Sequence, residues 1–222
     1  AQNLWDLFSR TFRTNVLAWT RYNDNPVLGP AGSTWKTRCV GNPEILTFGK
    51  RTLLFYRGTG AMSGDLKGWT DRIGAVEVSD IGAGRLTYRE INNGLPVLDV
   101  GPAGSFDRSG VSMPATVLFK GQIHMYYTGT ADSTASIGLA LSTGGDRFEK
   151  VGRVLDGQSP DVIVYGDTLY MVYQKLDGDG FKIHLAVSTD GRKFHRVGNQ
   201  SVFAGVRGQW DGQSITTPRI WR

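Results

Sequence analysis

Apolar and polar positions alternate in short runs along most of the chain, and the runs recur in the same order. A strand-length run opens on a proline at four places, Pro43, Pro114, Pro160 and Pro218. A glycine-containing turn and an aromatic run follow in three of these units, at 54–58, 125–129 and 170–174. β-Branched and aromatic residues bounded by Gly and Asp are typical of strands joined by hairpins, and a strand tolerates proline at its first residue.

Each unit then continues through two more strands. A third apolar run begins at Ile73, Ile137 and Ile183. A fourth run carries Phe148 or Phe194, and a valine-containing pair closes the unit. A repeated unit of four short strands is the blade of a β-propeller, whereas a β-sandwich does not require such internal similarity. We therefore predict an all-β chain of four-stranded antiparallel blades.

The repeats divide residues 1–222, taken as one partial propeller domain, into three blades and the start of a fourth. The predicted bounds are 36–98, 105–155, 159–203 and 210–222. Propellers have four or more blades, and an unfinished blade leaves an exposed sheet edge. We therefore expect a second chain or a further C-terminal segment to complete the ring. Residues 1–24 precede the repeats as an N-terminal arm, either a short helix capped by Asn3 or a packed outer segment.

Composition narrows the function classes. The chain carries a formal net charge of +5, but basic residues are interleaved with acids rather than clustered, which argues against nucleic-acid binding. A single cysteine, Cys39, excludes an intrachain disulfide, and three dispersed histidines with one cysteine do not suit structural zinc. No metal or cofactor is predicted. No apolar stretch is long enough to span a membrane, so no membrane partner is predicted.

Several sequence motifs resemble those of a known group of proteins. They are the Asp-x-x-Gly-Val-x-x-Pro stretch 107–114, the strand 125–129, the turn 188–191 and the restart of the phrase at 210–218. They resemble the five-bladed propeller glycosidases of the arabinanase and β-xylosidase type (glycoside hydrolase family 43), with the invertase type and the mannoside phosphorylases as relatives. The resemblance implies a carbohydrate substrate over one mouth of the channel, carboxylates on innermost strands, and a secreted or periplasmic protein.

The chain departs from that family at two positions. The family's first acid is an Asp directly before the strand-opening proline, where this chain has Asn42. Its second acid usually follows the proline of the second blade, where this chain has Ala115. Both departures count against a standard hydrolase mechanism.

Three carboxylates are catalytic candidates, because glycosidic cleavage requires a pair of carboxyl groups. Glu44 and Asp161 follow the prolines of two blades, so a closed ring points both toward the axis. Asp107 heads the loop into the second blade. The alternative for each is a scaffold carboxylate that binds loop N–H groups or an arginine, and Asp107 fits that alternative best.

Seven residues are predicted to contact substrate. They are Trp35, Asn42, Arg57, Gln174, Trp210, Asp211 and Arg219. A guanidinium offers a planar fork for an anionic group, although a salt bridge to Glu44 or Asp161 explains the arginines equally well. Either tryptophan could stack on a sugar, but repeated aromatics are also typical of blade packing.

Three functions remain open. The preferred one is a glycoside hydrolase that acts on a poly- or oligosaccharide through paired carboxylates. The second is a non-catalytic carbohydrate-binding propeller, and the third is a protein-interaction propeller whose repeats serve as scaffold.

Overall fold

The computed structural model describes residues 26–31, 35–62, 68–79 and 86–221. The predicted arm, residues 1–24, lies outside the described residues. Within these four ranges, twelve strands form three separate four-stranded sheets, called blades 1 to 3. Blade 1 contains β1 (Cys39–Phe48), β2 (Arg51–Gly60), β3 (Thr70–Ser79) and β4 (Thr87–Glu90). Blade 2 contains β5 (Gly110–Phe119), β6 (Gln122–Ala131), β7 (Thr134–Ser142) and β8 (Glu149–Asp156). Blade 3 contains β9 (Gln158–Tyr165), β10 (Thr168–Asp177), β11 (Gly180–Ser188) and β12 (His195–Arg196).

Every blade is an antiparallel meander in which each strand pairs with the next along the chain. The first strands of the blades are neighbours, because β5 contacts both β1 and β9. The valine-containing pairs close two blades, through bridges of Leu98 to Ile73 and of Phe203 to Ile183. The predicted all-β architecture of four-stranded antiparallel blades is confirmed, and the set of blades is incomplete.

Apolar side chains fill the spaces between neighbouring blades. One buried cluster joins Phe55 and Ile73 of blade 1 to Met125 of blade 2. A second joins Tyr126 of blade 2 to Met171 of blade 3. The strands are therefore hydrophobic on both faces, as expected for sheets covered on both sides, and the blades stack face to face around the first strands.

The strand-opening prolines share one backbone irregularity. The residue before each proline has a positive φ, near +51° to +53°, at Asn42, Met113, Ser159 and Thr217. Pairing shifts register at this point in all three blades. A bulge bends its strand and re-aims the following side chain. The residue after the proline is thus placed in the same way in every unit.

The predicted fourth blade is present only as an extended segment. Residues 214–221 form no strand within the described part of the chain. Instead, three backbone N–H groups of this segment bond to blade 3: Ile215 to the Phe181 carbonyl, Thr217 to the Gln174 side chain and Ile220 to the Asp161 side chain. No helix among the described residues is long and apolar enough to cross a bilayer.

Candidate functional site

The four residues that precede the prolines meet around a narrow axial cavity. Asn42, Met113, Ser159 and Thr217 line it together with three of the prolines and Arg219. Its volume is about 10 Å³, close to the space that one water needs. A sugar cannot enter the axis. A ligand would therefore rest on the end of the axis where β1, β5 and β9 begin, called the mouth face below.

Two of the three predicted catalytic carboxylates are brought together at the mouth face. Arg219 Nη1 lies 3.3 Å from Glu44 Oε2 and 3.4 Å from Asp161 Oδ1. Because both carboxylate oxygens contact the same nitrogen, Arg219 Nη1, the distance between them is at most the sum of the two contact distances. Carboxyl pairs in glycosidases lie roughly 5–9.5 Å apart. The ionic contact predicted as an alternative for Arg219 is present, and its guanidinium is still partly exposed.

Burial raises the pKa of Glu44, and the nearby Asp161 charge raises it further. Hydrogen bonds from Thr116 and the Arg219 charge oppose this shift without overcoming it. A carboxyl group that holds its proton above the usual range is suited to act as a general acid.

Both carboxylates also tie neighbouring strands together. Glu44 Oε1 accepts the Thr116 N–H at 2.8 Å, and Asp161 Oδ2 accepts the Ile220 N–H at 2.7 Å. Thr116 and Ile220 stand at the same place in their units, two residues after the proline. Sequence reasoning missed these two donors, although their repeated position after the proline was a usable signal.

Three residues at equivalent positions on the second strands, each fourteen residues after its proline, make different bonds. Thr128 Oγ1 accepts the Ser159 N–H at 2.8 Å, and Gln174 Oε1 accepts the Thr217 N–H at 2.7 Å. Arg57 occupies the equivalent position in blade 1 and has only donors, so it cannot make this bond.

Arg57 instead contacts side chains of its own blade. Its Nη2 lies 3.5 Å from Cys39 Sγ, its Nη1 lies 3.9 Å from Asp71, and its Nε is buried without a partner among the described residues. Asn42 Oδ1 is likewise buried without a partner in that part of the chain. Their predicted contacts with substrate stay predictions.

Asp107 does not join the other two carboxylates. It is 1% exposed. Its oxygens accept hydrogen bonds from Ser105, from the Tyr127 hydroxyl at 2.9 Å and from Lys150 Nζ at 2.6 Å. Burial alone raises the pKa of Asp107, but the bonds from Lys150 and Ser105 outweigh it and lower the pKa. These partners enclose the carboxylate, as the alternative of a scaffold role expects, and its catalytic role stays a prediction.

The two predicted stacking tryptophans have opposite surroundings. Trp35 is fully buried, stacks on Tyr56 with ring centroids 5.8 Å apart and donates its indole N–H to the Gly94 carbonyl. Its ring packs within blade 1, as the blade-packing alternative expects, and its contact with a sugar stays a prediction. Trp210 is 97% exposed. Its proposed contact with substrate, like that of the adjacent Asp211, stays a prediction.

Comparison with known proteins gives a consistent fold. No family model and no curated protein matches the chain. Among solved structures, a glycosyl hydrolase from Bacteroides ovatus is similar with a TM-score of 0.68 and 15% identity, covering 87% of this chain and 63% of that one. Zg3597, a family 117 glycoside hydrolase from Zobellia galactanivorans, has a TM-score of 0.60 and 21% identity, with 83% and 51% covered.

A third neighbour is the β-1,2-mannobiose phosphorylase from Listeria innocua, with a TM-score of 0.65, 12% identity and 88% and 69% of the two chains covered. These neighbours share the blade architecture described above. The chain has the fold of the β-propeller glycosidases. It spans about 63% of the Bacteroides protein, and identities this low establish the fold of this propeller and not its reaction.

Within the ranges that the structure describes, no group of three or more His, Cys, Asp or Glu side chains is arranged to hold a metal ion. The candidate site therefore consists of Glu44 and Asp161 on Arg219, beside the axial residues Asn42 and Thr217.

Proposed function

We propose that the protein is a carbohydrate-active enzyme that hydrolyses a glycosidic bond on the mouth face. The observation that carries the proposal is the shared guanidinium: carboxylates from equivalent places in blades 1 and 3 converge on Arg219 Nη1. The raised pKa of Glu44 separates the pair into an acid and a base, as in enzymes that cleave glycosides.

The two groups divide the proton transfers between them. Glu44, in its protonated form, gives its proton to the glycosidic oxygen as the bond from that oxygen to the anomeric carbon breaks with its electron pair. A water adds to the anomeric carbon and loses a proton to the Asp161 carboxylate. Arg219 holds both carboxyl groups in place through its contacts with each of them.

The test is cleavage of short oligosaccharides by the wild type and by Glu44→Gln and Asp161→Asn. Arabino-, xylo- and manno-oligosaccharides cover the sugars of the resembled families, and release of reducing ends is the readout. Each variant is expected to lower kcat by at least about 100-fold, as for loss of a general acid or base. Glu149→Gln, an exposed carboxylate on blade 2, is the matched control and should retain full activity.

Equal kcat values for the wild type and both variants on every cleaved sugar would reject the proposal. Melting temperatures of the variants separate lost chemistry from lost structure, since both carboxylates also bond backbone N–H groups. Adding inorganic phosphate distinguishes a phosphorylase, whose product is a sugar phosphate, from a hydrolase. The finer assignment to the arabinanase and β-xylosidase type requires cleavage of arabinosides or xylosides.

A specific observation favours a second function, sugar binding without cleavage. The two acid positions of the resembled family hold Asn42 and Ala115, and both remaining carboxylates serve as acceptors for inner-strand N–H groups. Oligosaccharide binding by calorimetry, with no reducing ends released over long incubation, would select this function.

A further inference from the structure

Blade 3 lacks a segment that blades 1 and 2 both have. Before β1, the chain lays Trp35 over Gly58 and Gly74; before β5, it lays Phe106 over Gly129 and Gly138. A Cβ at Gly58 would lie 2.3 Å from Trp35, and one at Gly129 would lie 2.5 Å from Phe106. Glycine is therefore required wherever the aromatic segment covers the sheet.

No such segment precedes blade 3, because β8 and β9 are separated by a single residue, Gly157. The two glycine positions are filled by Lys175 and His184. Lys175 is half-buried, and His184 is 1% exposed, with the ring of Tyr173 centred 5.7 Å from its own. The introducing segment of blades 1 and 2 therefore has no counterpart before β9, and larger side chains stand where it would require glycine.

A groove of about 560 Å³ lies beside Lys175 and is lined by residues of blades 2 and 3. Sugar-sized ligands occupy pockets of roughly 300–1,000 Å³. The rings of Phe106 and Phe181 line it, together with hydrogen-bonding side chains. The polar lining residues are Ser133, Thr134, Ser136, Gln158 and Gln174. Apolar ring faces beside hydroxyl and amide groups suit the apolar faces and hydroxyl groups of a sugar.

The groove adjoins the candidate site at Gln174. Gln174 lines the groove, and its Oε1 accepts the N–H of Thr217, which lines the axial cavity. This bond leaves the amide N–H groups of Gln174 to donate elsewhere. The larger cavity of about 770 Å³ is lined by Gln122, Ser142 and Thr143 at the other end of the blade 2 strands, away from the carboxylates.

The groove has a surplus of positive charge. Its charged lining residues are Arg153, Asp156 and Lys175. Arg153 pairs with Asp156 at 3.3 Å. Lys175 has no carboxylate within ion-pair distance among the described residues. An unpaired ammonium in a groove attracts an anionic group.

We infer that this groove binds an acidic sugar unit, a uronic acid, of the glycan whose neighbouring bond is cleaved at Glu44 and Asp161. The carboxylate of that unit pairs with Lys175, and its ring rests on Phe181. The position of the cleaved bond rests on the proposed function. The binding of the uronic acid in the groove does not.

The test measures binding of short uronic acid oligosaccharides and of neutral oligosaccharides of equal length to the Glu44→Gln protein. Lys175→Ala is expected to weaken uronate binding about fivefold, the value of a partly exposed ion pair, and to leave neutral binding unchanged. Lys175→Arg should restore most of the lost affinity, and added salt should weaken uronate binding to the parent but not to Lys175→Ala. Lys193→Ala, which removes the same charge from an exposed turn, is the control.

The outcomes separate the two proposals. Unchanged uronate affinity in Lys175→Ala, or an equal loss in Lys193→Ala, overturns the groove assignment whether or not Glu44→Gln abolishes cleavage. Weakened uronate binding in Lys175→Ala alone supports the groove even if no substrate is cleaved, in which case only the proposed reaction fails. Phe181→Ala provides a second variant, expected to weaken both kinds of sugar.

Discussion

The segments that precede blades 1 and 2 are built alike but carry opposite charges. Trp35 and Lys36 introduce blade 1, and Phe106 and Asp107 introduce blade 2. Each aromatic ring stacks on a tyrosine of its blade, with centroids 5.8 Å and 6.1 Å apart. Each charged group reaches the hydroxyl of that same tyrosine and a partner on the fourth strand. Blade 1 pairs an ammonium with Glu90, and blade 2 pairs a carboxylate with Lys150.

The difference shows what the arrangement requires. Both charged residues are buried, and a buried charge is tolerated only when it is paired. Either sign of charge is tolerated at this position, provided that the partner on the fourth strand carries the opposite charge. The segment at Trp210 and Asp211 stands at the same distance before a proline, but its tryptophan is exposed.

The largest expected effect comes from breaking the charge match in blade 2. Asp107→Lys places an ammonium beside Lys150 and should lower the free energy of unfolding by roughly 5 kcal/mol, as for an unpaired buried charge. Adding Lys150→Glu reproduces the blade 1 arrangement and should recover about 2 kcal/mol. Urea unfolding of the wild type, both single variants and the double variant measures this coupling. Additive effects would show that the two charges do not interact.

Removing the two tryptophans should have unequal effects. Trp35→Ala leaves a cavity under a stacked ring and should cost about 4 kcal/mol. Trp210→Ala removes an exposed ring and should change stability by less than about 0.5 kcal/mol. Thermal or urea unfolding of both variants gives the comparison. A large cost for Trp210→Ala would mean that this ring is buried in the protein.

The glycines under the rings offer a milder perturbation. Gly58→Ala and Gly129→Ala each force a methyl group into an aromatic ring and should cost about 1–3 kcal/mol. Gly29→Ala is the control, since a Cβ there meets nothing within 4 Å. If Gly58→Ala and Gly29→Ala unfolded at the same urea concentration, the close approach of Trp35 would be refuted.

The smallest expected effects concern how stability depends on pH. Blade 2 should lose stability at acid pH, and blade 1 should lose it at alkaline pH. The folded-state pKa of Asp107 is lowered, so its contribution is complete above the unfolded pKa of about 3.9 and is lost as pH falls through the folded pKa. Burial lowers the pKa of Lys36, but the hydrogen bonds to Glu90 and Tyr56 outweigh burial, so the pKa is raised overall. Its contribution is complete below about 10.4 and is lost as pH rises further.

The measurement is unfolding free energy against pH for the wild type, Asp107→Asn and Lys36→Met. Asp107→Asn should reduce the loss of stability at acid pH, and Lys36→Met should reduce the loss of stability at alkaline pH. An unchanged acid limb in Asp107→Asn would contradict the lowered pKa.

Much of the fold could be predicted from the sequence because the strand signals repeat. The four prolines, the aromatic second strands and the closing valine pairs locate the strands of each blade. The predicted fourth blade is less regular, because Thr217 and Ile220 bond to side chains of blade 3 and Ile215 bonds to a single backbone carbonyl there, without a strand ladder among the described residues. Sequence periodicity does not reveal which acceptor an N–H finds.

The candidate site was only partly predictable. Equivalent positions after prolines placed Glu44 and Asp161 together, and symmetry alone sufficed for that. Asp107 and Trp35 were harder, because burial depends on Lys150 and Gly74, which are distant in the sequence. The groove at Lys175 escaped prediction, since its origin is the absence of a covering segment before blade 3.

The opposite charges of the two introducing segments also affect how the chain folds. The blades are similar enough that either segment has the shape to approach either sheet. A wrong pairing would set Lys36 against Lys150 and Asp107 against Glu90, like charge against like charge without water to screen them. The charge match therefore favours docking of each segment on its own blade over docking on the other blade.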